Sequence, residues 1–261
     1  MDLGLDDVPA AVSGASRGLG RAVALELARE GARVAICSRD RSAIEAAAAD
    51  IAAASGRDVV PIAADVSSAA DARRFVDEAA EALGGLQVLV ANAGGPPTGA
   101  AASFGDDDWA RALDLNFLSA VRMSSRALPL LRERPWGRIV CITSYTVRQP
   151  PPEFALSTAA RAATTGFAKT LSREVAASGI TVNTVLPGYV ATDRLRSLRG
   201  APPDAGPEHP AFASIAAEVP LGRIGLPEEV AATVAFLCSA RASYVNGVSL
   251  QVDGGRMGGL L

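Results

Sequence analysis

Between the first apolar run of the chain and its first helical stretch lies Ser13-Gly14-Ala15-Ser16-Arg17-Gly18-Leu19-Gly20, a turn with the spacing G-x-x-x-G-x-G. Glycines so placed let a backbone reverse sharply and approach a ligand closely. A helix that begins there offers free N–H groups and the positive end of its dipole to an anion. Strand, glycine turn and helix in succession suit the pyrophosphate of a dinucleotide. The same succession restricts the chain to folds in which a buried strand feeds directly into a covering helix. Gly14, Ser16, Arg17, Gly18, Leu19 and Gly20 are candidate contacts to that dinucleotide.

The rest of the chain repeats the unit. Short apolar runs bounded by Gly, Pro or Asp predict buried parallel strands near 8–13, 33–38, 58–63, 87–91, 137–143, 181–186 and 249–252. Helical stretches fall between them near 18–30, 41–54, 68–83, 107–133, 154–177 and 227–239. Val23 and Leu27, four apart, give the first helix an apolar stripe for the sheet. Regular alternation implies right-handed crossovers and a doubly wound, Rossmann-type α/β domain with a seven-stranded parallel sheet. With 261 residues, 49% of them hydrophobic, residues 1–261 make one such domain. The proline-rich segment 193–222 lacks periodicity, and a loop that long beyond a strand's C-terminal end is expected to be a lid over a ligand crevice.

Composition removes several function classes. A net charge of −3 speaks against a general nucleic-acid or membrane-surface role. No apolar run reaches the roughly 20 residues of a spanning helix, and the acidic start Met1-Asp2-Leu3-Gly4-Leu5-Asp6-Asp7 is unlike a secretory signal. A cytoplasmic location is expected. Cys37, Cys141 and Cys238 are far apart, odd in number and set in apolar stretches, so buried thiols are expected and not a disulfide framework or a zinc site. His209 is the only histidine, and no metal is expected. Lysine occurs once, at Lys169, in a chain otherwise supplied with arginine.

The end of the second strand discriminates between NAD and NADP. A carboxylate there would accept hydrogen bonds from a ribose 2′-hydroxyl and repel a 2′-phosphate. This chain has Ser38-Arg39, with Arg17 in the glycine turn. Two guanidinium groups suit a phosphate. NADP is the expected cofactor and NAD the alternative, with Asp40 counting against the preference.

Further motifs add a family likeness. Asn92-Ala93-Gly94 follows the fourth strand, Asp65-Val66 the third, and Pro187-Gly188 with Thr192 the sixth, and Val252-Asp253-Gly254-Gly255 closes the chain. With Gly14, Gly18 and Gly20, these resemble the short-chain dehydrogenase/reductase family nearly end to end, most of all the 3-oxoacyl-[acyl-carrier-protein] reductases and their relatives. The resemblance implies that Asp65 lies near the adenine, that Asn92 and Gly94 border the adenosine pocket and that Thr192 meets the nicotinamide amide. It implies that Asn116 anchors a water of the proton relay and that Ser144 hydrogen-bonds the substrate oxygen. It also implies a small-molecule or acyl-thioester substrate and a homo-oligomer, a tetramer before a dimer.

At two positions the chain departs from that family. Thirteen residues after Ser144, family members carry the tyrosine that acts as acid or base, and four residues further a lysine; here they are Ser157 and Arg161. A phenol, with a reference pKa of about 10, can be tuned toward working pH by a nearby cation, and an aliphatic hydroxyl cannot. A positioned acid is worth roughly 10² to 10⁴ in rate. Arg161 shares a helix face with Ser157 and could hold the nicotinamide ribose, but it is a poor proton shuttle. Lys169 lies about 12 Å further along the helix and cannot replace it. Tyr145, beside Ser144, is the candidate surrogate acid, though packing is the better expectation for it; Arg148 is a weaker candidate for stabilising an oxyanion. Pro150-Pro151-Pro152 stiffens the loop beside them. The expected function is a reductase of a carbonyl substrate with altered proton handling. The alternative is a dinucleotide-binding sensor or partner subunit without turnover. The apolar residues Leu128, Leu130, Leu131, Phe167 and Leu171 on the two long helices are expected to serve the oligomer interface.

Overall fold

The computed structural model describes residues 2–259. In chain order the elements are β1 (Pro9–Val12), α1 (Gly18–Arg29), β2 (Arg33–Ser38), α2 (Arg41–Ser55), β3 (Val59–Ala63), α3 (Ala69–Leu83), β4 (Val88–Ala91), α4 (Asp106–Leu113), α5 (Ser119–Arg132), β5 (Gly137–Ile142), α6 (Ala155–Val175), β6 (Ile180–Pro187), α7 (Asp193–Arg199), α8 (Ala213–Ala216), α9 (Pro227–Cys238) and β7 (Ser249–Val252). The seven strands form one sheet in the order β3-β2-β1-β4-β5-β6-β7, and every pairing is parallel. The order reverses between β1 and β4, and the crevice at such a switch point is where open α/β sheets bind ligands.

Alternate strand residues feed two cores. Val12, Val34, Ile36 and Val90 pack beneath Val23 and Leu27 of α1, Ile44 and Ile51 of α2 and Val234 of α9. Ala11, Ala35, Cys37 and Leu89 face the other side, against Phe75 and Val76 of α3, Met123 and Leu131 of α5 and Leu171 of α6. Burial on both faces explains why the strands read as continuous apolar runs. The three thiols are free and buried, and burial pushes each up to about 12, so none is a ready nucleophile at neutral pH.

Three expectations need correction. The stretch 107–133 is not one regular helix: a π turn, Asp114–Leu118, separates α4 from α5. The segment 193–222 is not structureless. It holds α7, a 3₁₀ turn (Pro210–Phe212) and α8, and it buries Leu195, Phe212 and Ile215 with Ile224 in a small core of its own. Finally, Leu131 and Leu171 are buried in the core and not available to an interface, whereas Leu128, Leu130 and Phe167 are only partly buried against it. Large apolar side chains are exposed instead at Phe236, Tyr244, Val248 and Leu250, near the edge strand β7. No helix among the described residues is long and apolar enough to cross a membrane.

Candidate active site

The glycine turn is held by the neighbouring strand. Asn92, just past β4, donates from Nδ2 to the carbonyls of Ser13 (3.2 Å) and Gly14 (3.0 Å), and its backbone N–H donates to Ser13 Oγ (2.9 Å). The amide nitrogen of Asn92 therefore shapes the turn, a role its sequence position does not reveal. Gly14 has φ +61°, and a Cβ there would lie 2.8 Å from the Asn92 carbonyl oxygen, so only glycine fits. Arg17 precedes α1 in extended conformation and makes no side-chain cap, which leaves the first N–H groups of α1 to a ligand. Ser16 and Leu19 are half-buried in the same turn. A cleft of about 320 Å³ starts at Arg17 and Gly18 and runs along α1, past Arg21, Leu25 and Arg29, to Thr192, Asp193 and Pro227; Asn92, Gly94 and Asp65 do not line it. Uncapped amides and a turn that Gly14, Gly18 and Gly20 keep open fit a dinucleotide pyrophosphate.

Arg17 and Arg39 are both exposed beside this turn. Asp40 is occupied elsewhere. Its carboxylate accepts from the backbone N–H of Ala43 and from Ser42 Oγ, capping α2, and those bonds hold it below the usual carboxylate range. Ser38 Oγ donates to the Asp40 carbonyl. Asp40 is thus oriented toward its helix and stays ionised there. Asp65 accepts from the N–H and Oγ of Ser67, and Val66 is buried.

The π turn sets Asn116. Its Nδ2 donates to the Gly94 carbonyl (2.8 Å), its own carbonyl accepts from Thr164 Oγ1 of α6 (2.7 Å), and its Oδ1 is buried without a donor among the described residues. Such turns recur at functional sites because they redirect a side chain within a helix. Ser144 is half-buried just beyond β5, where its Oγ accepts from the N–H of Thr146 (3.2 Å) and keeps its own proton to donate.

Arg161 is buried, and its guanidinium donates in four directions. Nε reaches Ser157 Oγ (3.2 Å), Nη1 reaches the carbonyls of Ile142 (2.9 Å) and Thr143 (3.1 Å), and Nη2 reaches the carbonyl of Ala93 (3.3 Å). The planar fork of five donors explains how one side chain ties the ends of β4 and β5 to α6. Burial, with a smaller contribution from the Arg194 charge, lowers Arg161 to about 10, so it remains a cation at neutral pH. An arginine free to clasp a ribose is not what the structure holds: four of its donors already have protein acceptors.

Tyr145 begins a 3₁₀ turn (Tyr145–Val147) and is buried, its ring 5.5 Å from that of Tyr189. Burial pushes the phenol up, away from working pH, so it is poorly suited to act as an acid. Arg148 is exposed and donates to the Ser249 carbonyl, and Lys169 donates to the Gly247 carbonyl. Pro187 ends β6, Gly188 packs against Asp253, and Thr192 caps α7 by accepting from the N–H of Leu195. Three residues join the site without having been singled out by sequence. Thr164 secures the π turn, Arg194 of α7 donates to the Pro96 carbonyl (2.6 Å), and Arg256 lies between Tyr145 and Tyr189. Thr164 alone carries a signal, its place three residues after Arg161 on the same helix face.

A family model described as Enoyl-(Acyl carrier protein) reductase matches residues 14–256. The 3-oxoacyl-[acyl-carrier-protein] reductase of Synechocystis sp. is 34% identical over 248 residues, 94% of this chain and 95% of that protein. Among solved structures, L-sorbose reductase from Gluconobacter frateurii complexed with NADPH and L-sorbose is similar at a TM-score of 0.93 and 31% identity, over 100% of both chains. A short-chain dehydrogenase from Burkholderia cenocepacia in complex with NADP gives a TM-score of 0.86 at 34% identity, over 97% of this chain and 98% of that one.

Proposed function

The chain belongs to the short-chain dehydrogenase/reductase family of oxidoreductases, and from that premise we propose that it is an NADP-dependent reductase of a carbonyl compound, a 3-oxoacyl compound among the candidates, whose proton does not come from a tyrosine. When bound, the reduced coenzyme supplies hydride to the carbonyl carbon. The residues of the chain handle the rest. Ser144 donates its hydroxyl proton in a hydrogen bond to the substrate oxygen, which gains the carbonyl π pair as hydride arrives. The charge of Arg161 stabilises that oxygen through its field. Water delivers the proton along a path that Asn116 Oδ1, buried and without a protein donor among the described residues, can anchor. The observation that carries the proposal is the convergence of Asn116, Ser144 and Arg161 around the ends of β4 and β5.

One observation favours the second reading, a dinucleotide-binding sensor or partner subunit. Arg161 is anchored to main-chain carbonyls, as a structural residue would be. A panel of 3-oxoacyl thioesters, quinones and ketones, followed by NADPH absorbance, separates the two. Turnover with at least one compound supports the reductase, and NADPH binding without any turnover supports the sensor. In the reductase, Ser144→Ala is expected to lower kcat/KM by roughly 10² to 10³, the usual effect of losing one oxyanion donor. Unchanged kcat/KM would remove Ser144 from the mechanism.

Arg17 and Arg39 support NADP over NAD. Arg39→Asp is expected to weaken NADPH and favour NADH, shifting the ratio of dissociation constants about tenfold or more, since it replaces a phosphate donor by a repelling charge. Fluorescence titration with both coenzymes measures this, and an unaltered ratio would place the 2′-phosphate elsewhere. A homo-oligomer, tetramer before dimer, and a cytoplasmic location complete the proposal. Exposed Phe236, Tyr244, Val248 and Leu250 support the oligomer.

A further inference from the structure

A cluster of orphaned donors lies beside Ser144. Arg256, four residues past β7, carries a side chain that is only 9% exposed. Its guanidinium carbon sits 4.2 Å from the centre of the Tyr145 ring and 4.5 Å from that of Tyr189. Nη2 donates to Tyr189 Oη (3.1 Å) and to Glu218 Oε2 (2.8 Å). Nε and Nη1 are buried and reach no acceptor among the described residues, and the Tyr145 hydroxyl is also buried and unpartnered among them.

Stacking does not remove that deficit. An aromatic face attracts the flat face of a guanidinium, whereas its N–H bonds point outward in the guanidinium plane. A buried polar group without a partner is costly, and here three fall in one cluster. Two of the three atoms can only donate, and the third is a hydroxyl. Nε and Nη1 lie on different edges of the guanidinium, and each forms a fork of parallel N–H bonds only with Nη2, so a carboxylate that takes Nη2 from Glu218 would gain one of them as its second donor.

The one carboxylate now on Arg256 comes from Glu218, which follows α8 within the 193–222 segment and is half exposed. It meets Nη2 alone and leaves Nε and Nη1 unpaired. Tyr145 is the residue after Ser144, so the cluster adjoins the hydroxyl assigned to the reacting oxygen.

We propose that Arg256 and the Tyr145 hydroxyl form a carboxylate subsite next to Ser144, so that the substrate is a free oxo acid and Glu218 is a placeholder on the same arginine. The inference rests on the reductase reading for the carbonyl and on the orphaned donors for the acid. It disfavours a 3-oxoacyl thioester, in which the carboxylate is masked.

The test uses matched pairs of 2-, 3-, 4- and 5-oxo acids of four to six carbons and their methyl esters, together with the N-acetylcysteamine thioester of the 3-oxo acid. Calorimetry on the full chain with NADP present gives dissociation constants, and NADPH absorbance gives turnover. At least one acid is expected to bind tenfold or more tightly than its ester. That preference is expected to collapse in Arg256→Met and to shrink severalfold in Tyr145→Phe, a substitution that removes only the hydroxyl and keeps the ring. Glu218→Gln is expected to tighten the acid, because it weakens the internal competitor. Equal binding of acid and ester, binding of neither, or an acid preference that survives in both Arg256→Met and Tyr145→Phe would overturn the subsite. The two readings fail separately: acid-selective binding without NADPH oxidation would uphold the subsite and sink the reductase, and turnover of esters or the thioester without acid preference would do the reverse.

Discussion

Alanine at Gly94 is expected to leave the melting temperature unchanged and to weaken NADPH binding about tenfold or more, equivalent to roughly 1.4 kcal/mol. The surroundings of Gly94 set both halves of that expectation. A Cβ built there meets nothing within 4 Å, and its φ lies outside the left-handed region, so the folded chain alone incurs no steric cost. Its carbonyl is tied to Asn116 Nδ2 at 2.8 Å, so the backbone cannot easily retreat from a ligand. Any loss of affinity therefore reports what occupies the open space over Gly94. Gly20 is the contrasting position. A Cβ there would collide with the Gly14 carbonyl and would lie 2.8 Å from Asn92 Nδ2 and 2.9 Å from Ala15 Cα. Overpacking of that kind costs about 1–3 kcal/mol, or roughly 2–4 °C of melting temperature per kcal/mol in a chain of this size. Gly20→Ala is thus expected to lose stability and coenzyme affinity together, because the turn itself must shift. Differential scanning calorimetry and NADPH fluorescence titration separate the cases. Full NADPH affinity in Gly94→Ala would mean that the coenzyme does not cross β4 where proposed.

The contrast between these glycines shows where sequence is informative. The glycine turn, the strand–helix alternation and the seven strands are legible because backbone constraint and burial on both sheet faces leave local marks. The division of roles inside the site is not. In sequence Asp40 resembles an acid opposed to a 2′-phosphate, yet a helix start one residue later recruits it as a cap. Leu131 and Leu171 look surplus to the core because helical periodicity cannot say how much of a helix circumference its neighbours cover. The 193–222 segment conceals two short helices, too brief for a periodic pattern to emerge. Arg256 joins Tyr145, Tyr189 and Glu218 from far along the chain, 38 residues away in the nearest case, and no local pattern foretells that.

Installing the missing pair, Ser157→Tyr with Arg161→Lys, is expected to raise turnover of a reducible carbonyl by roughly 10² or more, the usual worth of a positioned acid. The parent site has no side chain suited to proton donation near neutral pH. Ser157 Oγ is an aliphatic hydroxyl, Arg161 is lowered only to about 10, and burial raises the Tyr145 phenol. The two changes should be strongly non-additive. Tyrosine alone would meet a guanidinium already committed to the carbonyls of Ile142, Thr143 and Ala93. Lysine alone, with three donors in place of five, would leave part of that set unpaired and gain no acid. Together, the ammonium lowers the phenol and the phenol supplies the proton. The pH profile gives a second readout. In the parent, the Arg161 charge is constant below about 10 and is lost as pH rises through that value, so no limb from this residue appears between about pH 6 and 9. In the double variant the phenol titrates lower than its reference value of about 10, and reduction should fall as it ionises. Steady-state kinetics from about pH 6 to 11, with each single variant alongside, decides the matter. A double variant no faster than the parent, with an unchanged profile, would show that Ser157 and Arg161 do not occupy the position from which the proton is delivered.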